Sequence, residues 1–317
     1  MINLHQSTMD AADRIHRFIR ETRVVRSDWL SDQTGADVWF KCENLQHTGS
    51  FKFRGAVNKL LSLTADERST GVVAASTGNH GAAVARAMSL LQTPGVIFVP
   101  KNAVPTKLEA IQGYGAEIRK EGDDCVVAEA VARGYAAENK MTYVSPYNDP
   151  EVVAGQGTVG VELRCLFPDL KAVFVALGGG GLISGIASAL KGENGKTMVI
   201  ACSPENSPVM HRSVEAGRIL ELDSKPTLSD GTAGGVEDGS ITFELCQKLV
   251  DDYVLLAEDE IAASLRMFMQ KEEMTIEGSA AVAIAGFMKQ SDRWAEKQVV
   301  IVLCGGNISP ETLESVQ

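Results

Sequence analysis

Lys52 stands between two aromatic residues, Phe51 and Phe53, at the start of a run whose apolar residues recur at helical spacing. An amine in the first turn of a helix feels the positive end of the helix dipole. That lowers its pKa and suits a lysine that must act as a neutral nucleophile. Thr48 and Ser50 are expected to cap this helix. Alone, the side chain reads first as a solvated surface lysine, although the flanking phenylalanines favour partial burial. A second candidate is the tetrad Gly178, Gly179, Gly180 and Gly181, between an apolar run at 172–177 and a helical run at 182–190. Backbone without Cβ atoms can curl round an anion and aim several N–H groups at it from a helix N-terminus. One or two glycines mark an ordinary tight turn; four in succession point to a phosphate. The dinucleotide fingerprint G-x-G-x-x-G is not met, because Gly178 and Gly180 are followed by Ile183, and Gly179 and Gly181 by Ser184.

The elements that must position these residues are short apolar runs alternating with longer helical patterns. Strands are expected at 38–42, 72–76, 96–100, 116–120, 142–144, 172–177, 198–202, 254–256 and 299–304. Between most of them lie stretches with apolar residues at i, i+3 and i+4, such as 80–91 and 126–139. Strands that are apolar on both faces and alternate with helices make parallel sheets covered by helices, an α/β fold. In such folds ligands gather at the carboxyl ends of the strands. Three polar or glycine-rich segments fall there: Ser76-Thr77-Gly78-Asn79-His80-Gly81, the glycine tetrad, and Cys304-Gly305-Gly306-Asn307. The stretch 217–239 is rich in Gly, Ser and Asp, lacks periodicity, and reads as a long functional loop.

The bulk properties exclude more than they suggest. The 317 residues suffice for about two domains. A net charge of −11 repels a phosphate-backbone partner, so nucleic acid is set aside. The six cysteines are scattered, without a C-x-x-C or a paired metal spacing, and fit a reduced, cytoplasmic setting. No apolar run approaches the ~20 residues of a membrane span, and the N-terminus has no secretory h-region.

Read together, five ordered segments resemble the β-family (fold type II) of pyridoxal-phosphate (PLP) enzymes, within it the threonine/serine dehydratase and serine racemase group. They are Lys41-x-Glu43-Asn44-Leu45-Gln46-x-Thr48-Gly49-Ser50-Phe51-Lys52-x-Arg54-Gly55-Ala56, Ser76-x-Gly78-Asn79-His80-Gly81, Ala154-Gly155-Gln156-Gly157-Thr158, the Gly178–Leu182 run, and Cys304-Gly305-Gly306-Asn307. The resemblance implies two doubly wound domains with parallel-rich sheets and the cofactor in the cleft between them. Residues 1–62 and 147–317 would form the large domain and 63–146 the small one. Lys52 would carry PLP as a Schiff base and act as base at Cα. Phe51 would pack on the pyridine, Asn79 would bond the ring hydroxyl, and Gly178, Gly179, Gly180, Gly181 and Leu182 would hold the phosphate. Cys304 would face the pyridine nitrogen, where a neutral partner weakens the electron sink and suits β-elimination. Ser76, Thr77, Gly78 and His80 would line the substrate-carboxylate site. The implied reaction is dehydration of a 3-hydroxy amino acid such as L-threonine or L-serine to a 2-oxo acid and ammonia, in a homodimer.

Racemisation is the alternative, since Thr77 places a hydroxyl where serine racemases have their second acid/base; the same hydroxyl could cap the next helix. Tyr147 replaces a smaller polar residue common in relatives, and the loop Asp230-Gly231-Thr232-Ala233-Gly234-Gly235 is glycine-richer than in most racemases. Both leave room for another substrate: hydroxyaspartate, phenylserine or an intermediate of hydroxyectoine use. Glu277 matches a family glutamate near the cofactor and reads equally as a helix N-terminal charge. Glu205 matches one ligand of the cation site of some relatives, but no carboxylate follows it in 206–211. His211 is expected on a helix surface, and no metal is expected.

Overall fold

The computed structural model describes residues 3–192 and 195–316. Ten strands form among them. In chain order they are β1 (Val24–Arg26), β2 (Asp37–Lys41), β3 (Val72–Ala75), β4 (Gly95–Val99), β5 (Glu117–Lys120), β6 (Thr142–Tyr143), β7 (Ala172–Ala176), β8 (Met198–Pro204), β9 (Asp252–Leu256) and β10 (Gln298–Val302). Six make one sheet in the order β1-β2-β10-β7-β8-β9, and four make another in the order β5-β4-β3-β6. Every pairing is parallel except β1 against β2. β1 is the strand that the pattern does not announce: three residues are too few for a period to register, and it rides on an edge.

Alternation along the smaller sheet shows why it needs helices on both faces. Val73, Val96 and Phe98 point to Ala132 and Ala136 of the helix Cys125–Glu138. Val72, Ala74, Ile97 and Val99 point the other way, to Ala83 and Ala87 of the helix Asn79–Leu91. Each face therefore buries one half of β3 and of β4, the two central strands. Phe53, Ala56, Val57 and Leu60 of the helix Lys52–Ser62 join this second core. The helix that begins at Lys52 thus leans on the smaller sheet, although it follows a strand of the larger one. The larger sheet has its own core, with Phe40, Phe174, Ile200 and Ile301 packed under the helix Gly278–Lys289.

Strand order places the chemistry. β2, β10 and β7 are adjacent and parallel, so the segments after their carboxyl ends, 42–52, 303–307 and 177–181, emerge side by side. In the smaller sheet β3 and β6 are neighbours, and the segments after them, 76–79 and 144–148, emerge together likewise.

Candidate active site

Lys52 is the first residue of its helix, as expected, but the cap differs. The N-cap is Phe51, and no side chain caps the helix. Thr48 and Ser50 are instead drawn towards the segment after β10, where Ser50 pairs with Gly305 and the Thr48 carbonyl accepts from Asn307 Nδ2 at 2.9 Å. The Phe51 N–H donates to the Cys304 carbonyl at 3.1 Å. Together these bonds bring the lysine segment and the cysteine segment into one wall.

Lys52 Nζ donates to the Pro146 carbonyl at 2.9 Å, across to the segment after β6. Burial pushes its pKa down to about 8, against the opposing pull of Cys304 and Glu277. Its amine is therefore readily neutral, the state that attack on a carbonyl carbon requires. Burial also keeps the Cys304 thiol well above its usual pKa, helped by Glu277, whose Oε1 lies 4.0 Å from Cys304 Sγ. Glu277 occupies the N-cap of the helix Gly278–Lys289, yet its carboxylate makes no cap bond and turns into the site. There it accepts from Asn79 Nδ2 at 2.9 and 3.1 Å, and burial raises its pKa to about 7.

Asn79 opens the helix Asn79–Leu91 directly after the turn 76–78. Ser76 Oγ accepts from the Gly78 N–H at 3.1 Å, and Gly78, not Thr77, is the N-cap. The first N–H groups of that helix have no intrahelical acceptor, which leaves them as donors for an anion. His80 follows Asn79 in the first turn of this helix. Its ring is buried, and Nε2 donates to the Val144 carbonyl at 2.8 Å. Burial, with Lys52 nearby, drops its pKa to about 3, so the imidazole stays neutral and its backbone N–H is the available donor.

The glycine tetrad follows β7 and opens the helix Gly181–Lys191. Gly180 takes φ +84°, where a side chain would be strained. A Cβ on Gly179 would stand 2.5 Å from the Tyr147 ring, and one on Gly178 would stand 2.9 Å from the backbone of Thr232. The Leu182 side chain is buried in the large core, so only its amide can serve a ligand. Tyr147 directly follows the carbonyl that holds Lys52, so cradle and lysine share one wall.

Behind Lys52 lies a cluster that the motif contains but that sequence reasoning gave no role. Arg54 is fully buried and donates to Glu43 through Nε and Nη2, both at 2.8 Å, and to Glu162 at 2.5 Å. Lys41 pairs with Glu162 and donates to the Thr22 carbonyl at 2.7 Å. Burial alone would raise Glu43, but Arg54 beside it holds its carboxyl below the usual range. Two cations and two carboxylates balance, which is the condition for burying charge. The spacing of Lys41, Glu43 and Arg54 was visible in the sequence; Glu162, a long way along the chain, was not.

His211 is likewise a correction. It is 5% exposed, lies edge-on to Tyr253 at 5.4 Å, and contacts Glu215 at 3.2 Å. The expected surface position is overturned because the helix Val209–Ala216 turns this face to β9. Glu205 lines a shallow cavity with Arg212, Asp223 and Lys225. Among the described residues no group of three or more His, Cys, Asp or Glu could hold a metal ion, and no helix is long and apolar enough to cross a membrane.

The donor set fits pyridoxal phosphate. A buried amine with lowered pKa suits the aldehyde, glycine amides at a helix start suit the phosphate, an asparagine suits the ring hydroxyl, and a neutral thiol suits the ring nitrogen. The comparisons agree. The family described as pyridoxal-phosphate dependent enzyme matches residues 15–305. The L-threonine ammonia-lyase of Thermotoga maritima is 39% identical over all of this chain and 78% of its own length. The L-threo-3-hydroxyaspartate ammonia-lyase of Saccharomyces cerevisiae is 34% identical over 97% of this chain and 94% of its own. The structure of maize serine racemase superposes with a TM-score of 0.91 at 33% identity, covering 98% of this chain and 95% of that one. With a lysine of lowered pKa at a helix start, a glycine-lined turn before another helix, and a family match across nearly its whole length, the chain belongs to the pyridoxal-phosphate dependent enzymes of fold type II.

Proposed function

We propose that the chain is an ammonia-lyase acting on a 3-hydroxy amino acid such as L-threonine or L-serine, converting it to a 2-oxo acid and ammonia by β-elimination. The observation that carries this reading is Lys52: burial lowers its amine to a pKa of about 8, and the amine donates to the Pro146 carbonyl, next to the Tyr147 that backs onto Gly179. Bound there, pyridoxal phosphate supplies the electron sink for the pair left at Cα. Lys52 would hold the cofactor and, when free, take the Cα proton. Gly178, Gly179, Gly180, Gly181 and the Leu182 amide would hold the phosphate, Asn79 the ring hydroxyl, and Phe51 one face of the ring. Cys304, its thiol kept protonated by burial, would face the ring nitrogen as a neutral partner, which would favour loss of a β-substituent over transamination. The substrate carboxylate would meet the Ser76 and Thr77 turn, Gly78 and the backbone N–H of His80.

Residues 63–146, with the smaller sheet, would form a small domain that moves against 1–62 and 147–317, the helix Lys52–Ser62 being shared at the boundary. The buried thiols of Cys42, Cys202, Cys246 and Cys304 support a reducing cytoplasmic setting. A homodimer is the assembly expected, to be measured by light scattering.

The likeness to maize serine racemase favours racemisation as the second reading, with the Thr77 hydroxyl as the second acid/base. The yeast relative favours hydroxyaspartate as an alternative substrate. One panel separates them: L-threonine, L-serine, threo-3-hydroxyaspartate and phenylserine, assayed for ammonia and 2-oxo acid, with enantiomers resolved in parallel. Release of 2-oxo acid from at least one substrate supports the lyase. Inverted substrate without ammonia would replace it with a racemase, and no reaction with any of them would sink both.

A further inference from the structure

Three segments meet at Glu237. Its backbone N–H donates to Tyr147 Oη at 2.9 Å, its Oε1 accepts from Arg133 Nη2 at 2.8 Å, and its Oε2 accepts from Asn148 Nδ2 at 2.9 Å. Arg133 belongs to the helix Cys125–Glu138 that covers the smaller sheet. Tyr147 and Asn148 lie on the segment leading back from β6. Glu237 belongs to the long stretch 218–240 that hangs from the larger sheet after the helix Val209–Ala216. A second strap runs parallel, from the Ile241 N–H to Asn148 Oδ1 at 3.0 Å.

This stretch lies over the site. Thr232 backs onto Gly178, and the Tyr147 ring, held through its hydroxyl by Glu237, backs onto Gly179. A ligand entering the glycine cradle from this side has to displace the stretch.

The charges suit something that opens. Arg133 is prearranged without Glu237: its guanidinium lies 4.2 Å from the centre of the Tyr143 ring and pairs with Glu129, one turn earlier, at 2.7 Å. Lifting Glu237 away therefore leaves no cation stranded. The Arg133 and Glu237 side chains are 40% and 28% exposed, so water readily replaces their contact. A fully buried pair such as Arg54 with Glu43 could not be broken so cheaply.

We propose that Glu237 is a clasp: by holding Arg133, Asn148 and Tyr147 at once, it fastens the 218–240 stretch across the mouth of the cleft and closes it over bound cofactor and substrate. Glu237 is a positioning residue: its carboxylate, through Arg133 and Asn148, holds in place the backbone N–H that fastens Tyr147 against the cradle. The inference rests on the reading of the cradle as the phosphate site.

The test compares wild type, Glu237→Ala, Glu237→Gln, Arg133→Ala and the Glu237→Ala/Arg133→Ala pair. Hydrogen exchange of peptides from 228–240 is measured with and without pyridoxal phosphate, and cofactor release is followed by its absorbance. Each single alanine variant is expected to raise exchange in 228–240 and to speed cofactor release roughly threefold to tenfold. The thermal midpoint is expected to stay unchanged and KM to rise more than kcat falls. The pair should be little worse than Glu237→Ala, because both changes break the same contact. Unchanged exchange in 228–240 in Glu237→Ala, or additive effects in the pair, would overturn the clasp. Exchange without cofactor reads the clasp even if pyridoxal phosphate were bound elsewhere, so the two readings fail separately.

Discussion

Asn307 Nδ2 donates to Asn79 Oδ1 at 2.7 Å, and that bond decides which way the Asn79 amide faces. With its oxygen occupied, Asn79 turns Nδ2 inward to Glu277. An amide has one acceptor end and one donor end, so fixing the first fixes the second. Asn307→Asp puts an acceptor against an acceptor, and the Asn79 amide is expected to reverse. Cofactor affinity, titrated by fluorescence, should then fall about 2- to 10-fold, the cost of one misdirected hydrogen bond. Unchanged affinity would show that Asn307 does not orient Asn79.

The lowered pKa of Lys52 has a sign that can be measured. In protein freed of cofactor, an amine-directed reagent should label Lys52 half-maximally near pH 8, whereas ordinary surface lysines react near their usual ~10.4. Between about 8 and 10.5 the unfolded chain binds more protons than the folded one, so stability rises with pH through that window. At pH 7 the buried charge is a cost. Lys52→Met without cofactor is therefore expected to be more stable than wild type by ~1–3 kcal/mol in urea, the gap closing above pH 10. A gap independent of pH would contradict the burial of the amine.

Gly179 and Tyr147 should show reciprocal rescue. Gly179→Ala drives a methyl into the ring, and a rigid ring against backbone has little room to yield. Cofactor affinity is expected to fall about 5- to 100-fold, in line with ~1–3 kcal/mol of overpacking. Adding Tyr147→Ala clears the space and should recover most of that loss. Failure of the second change to help would show that the first acts by another route.

Arg54→Met leaves Glu43 buried without its cation. The variant is expected to lose about 3–5 kcal/mol of stability, with Glu43→Gln in the same chain restoring part of it. Denaturant titration of the single and double variants decides this. A small loss in the single variant would mean that water or Lys41 reaches Glu43.

Much of this was legible in the sequence because parallel strands announce themselves as short apolar runs and the family's glycine and polar segments fall at their ends. Lys52, Asn79, Cys304 and the glycine tetrad converge for that reason: β2, β10 and β7 are neighbours, and so are β3 and β6. What stayed hidden depends on distant partners. Arg133 and Glu237 meet across 104 positions, and nothing local to either says so. Glu162 completes the charge balance of Lys41, Glu43 and Arg54 from a helix 108 positions further along the chain than Arg54. Thr48 and Ser50 looked like caps because their types suit caps. The ladder to Gly305 and the bond from Asn307 claim their segment instead. The Val144 carbonyl takes the His80 ring, a partner 64 positions away that nothing local to His80 announces.

The most direct measurement is borohydride reduction of the holoenzyme followed by digestion and mass mapping of the peptides. The account expects a yellow protein that bleaches on reduction and a single modified peptide carrying the reduced cofactor on Lys52. Cofactor fixed to another lysine, or a colourless protein with full activity, would contradict it.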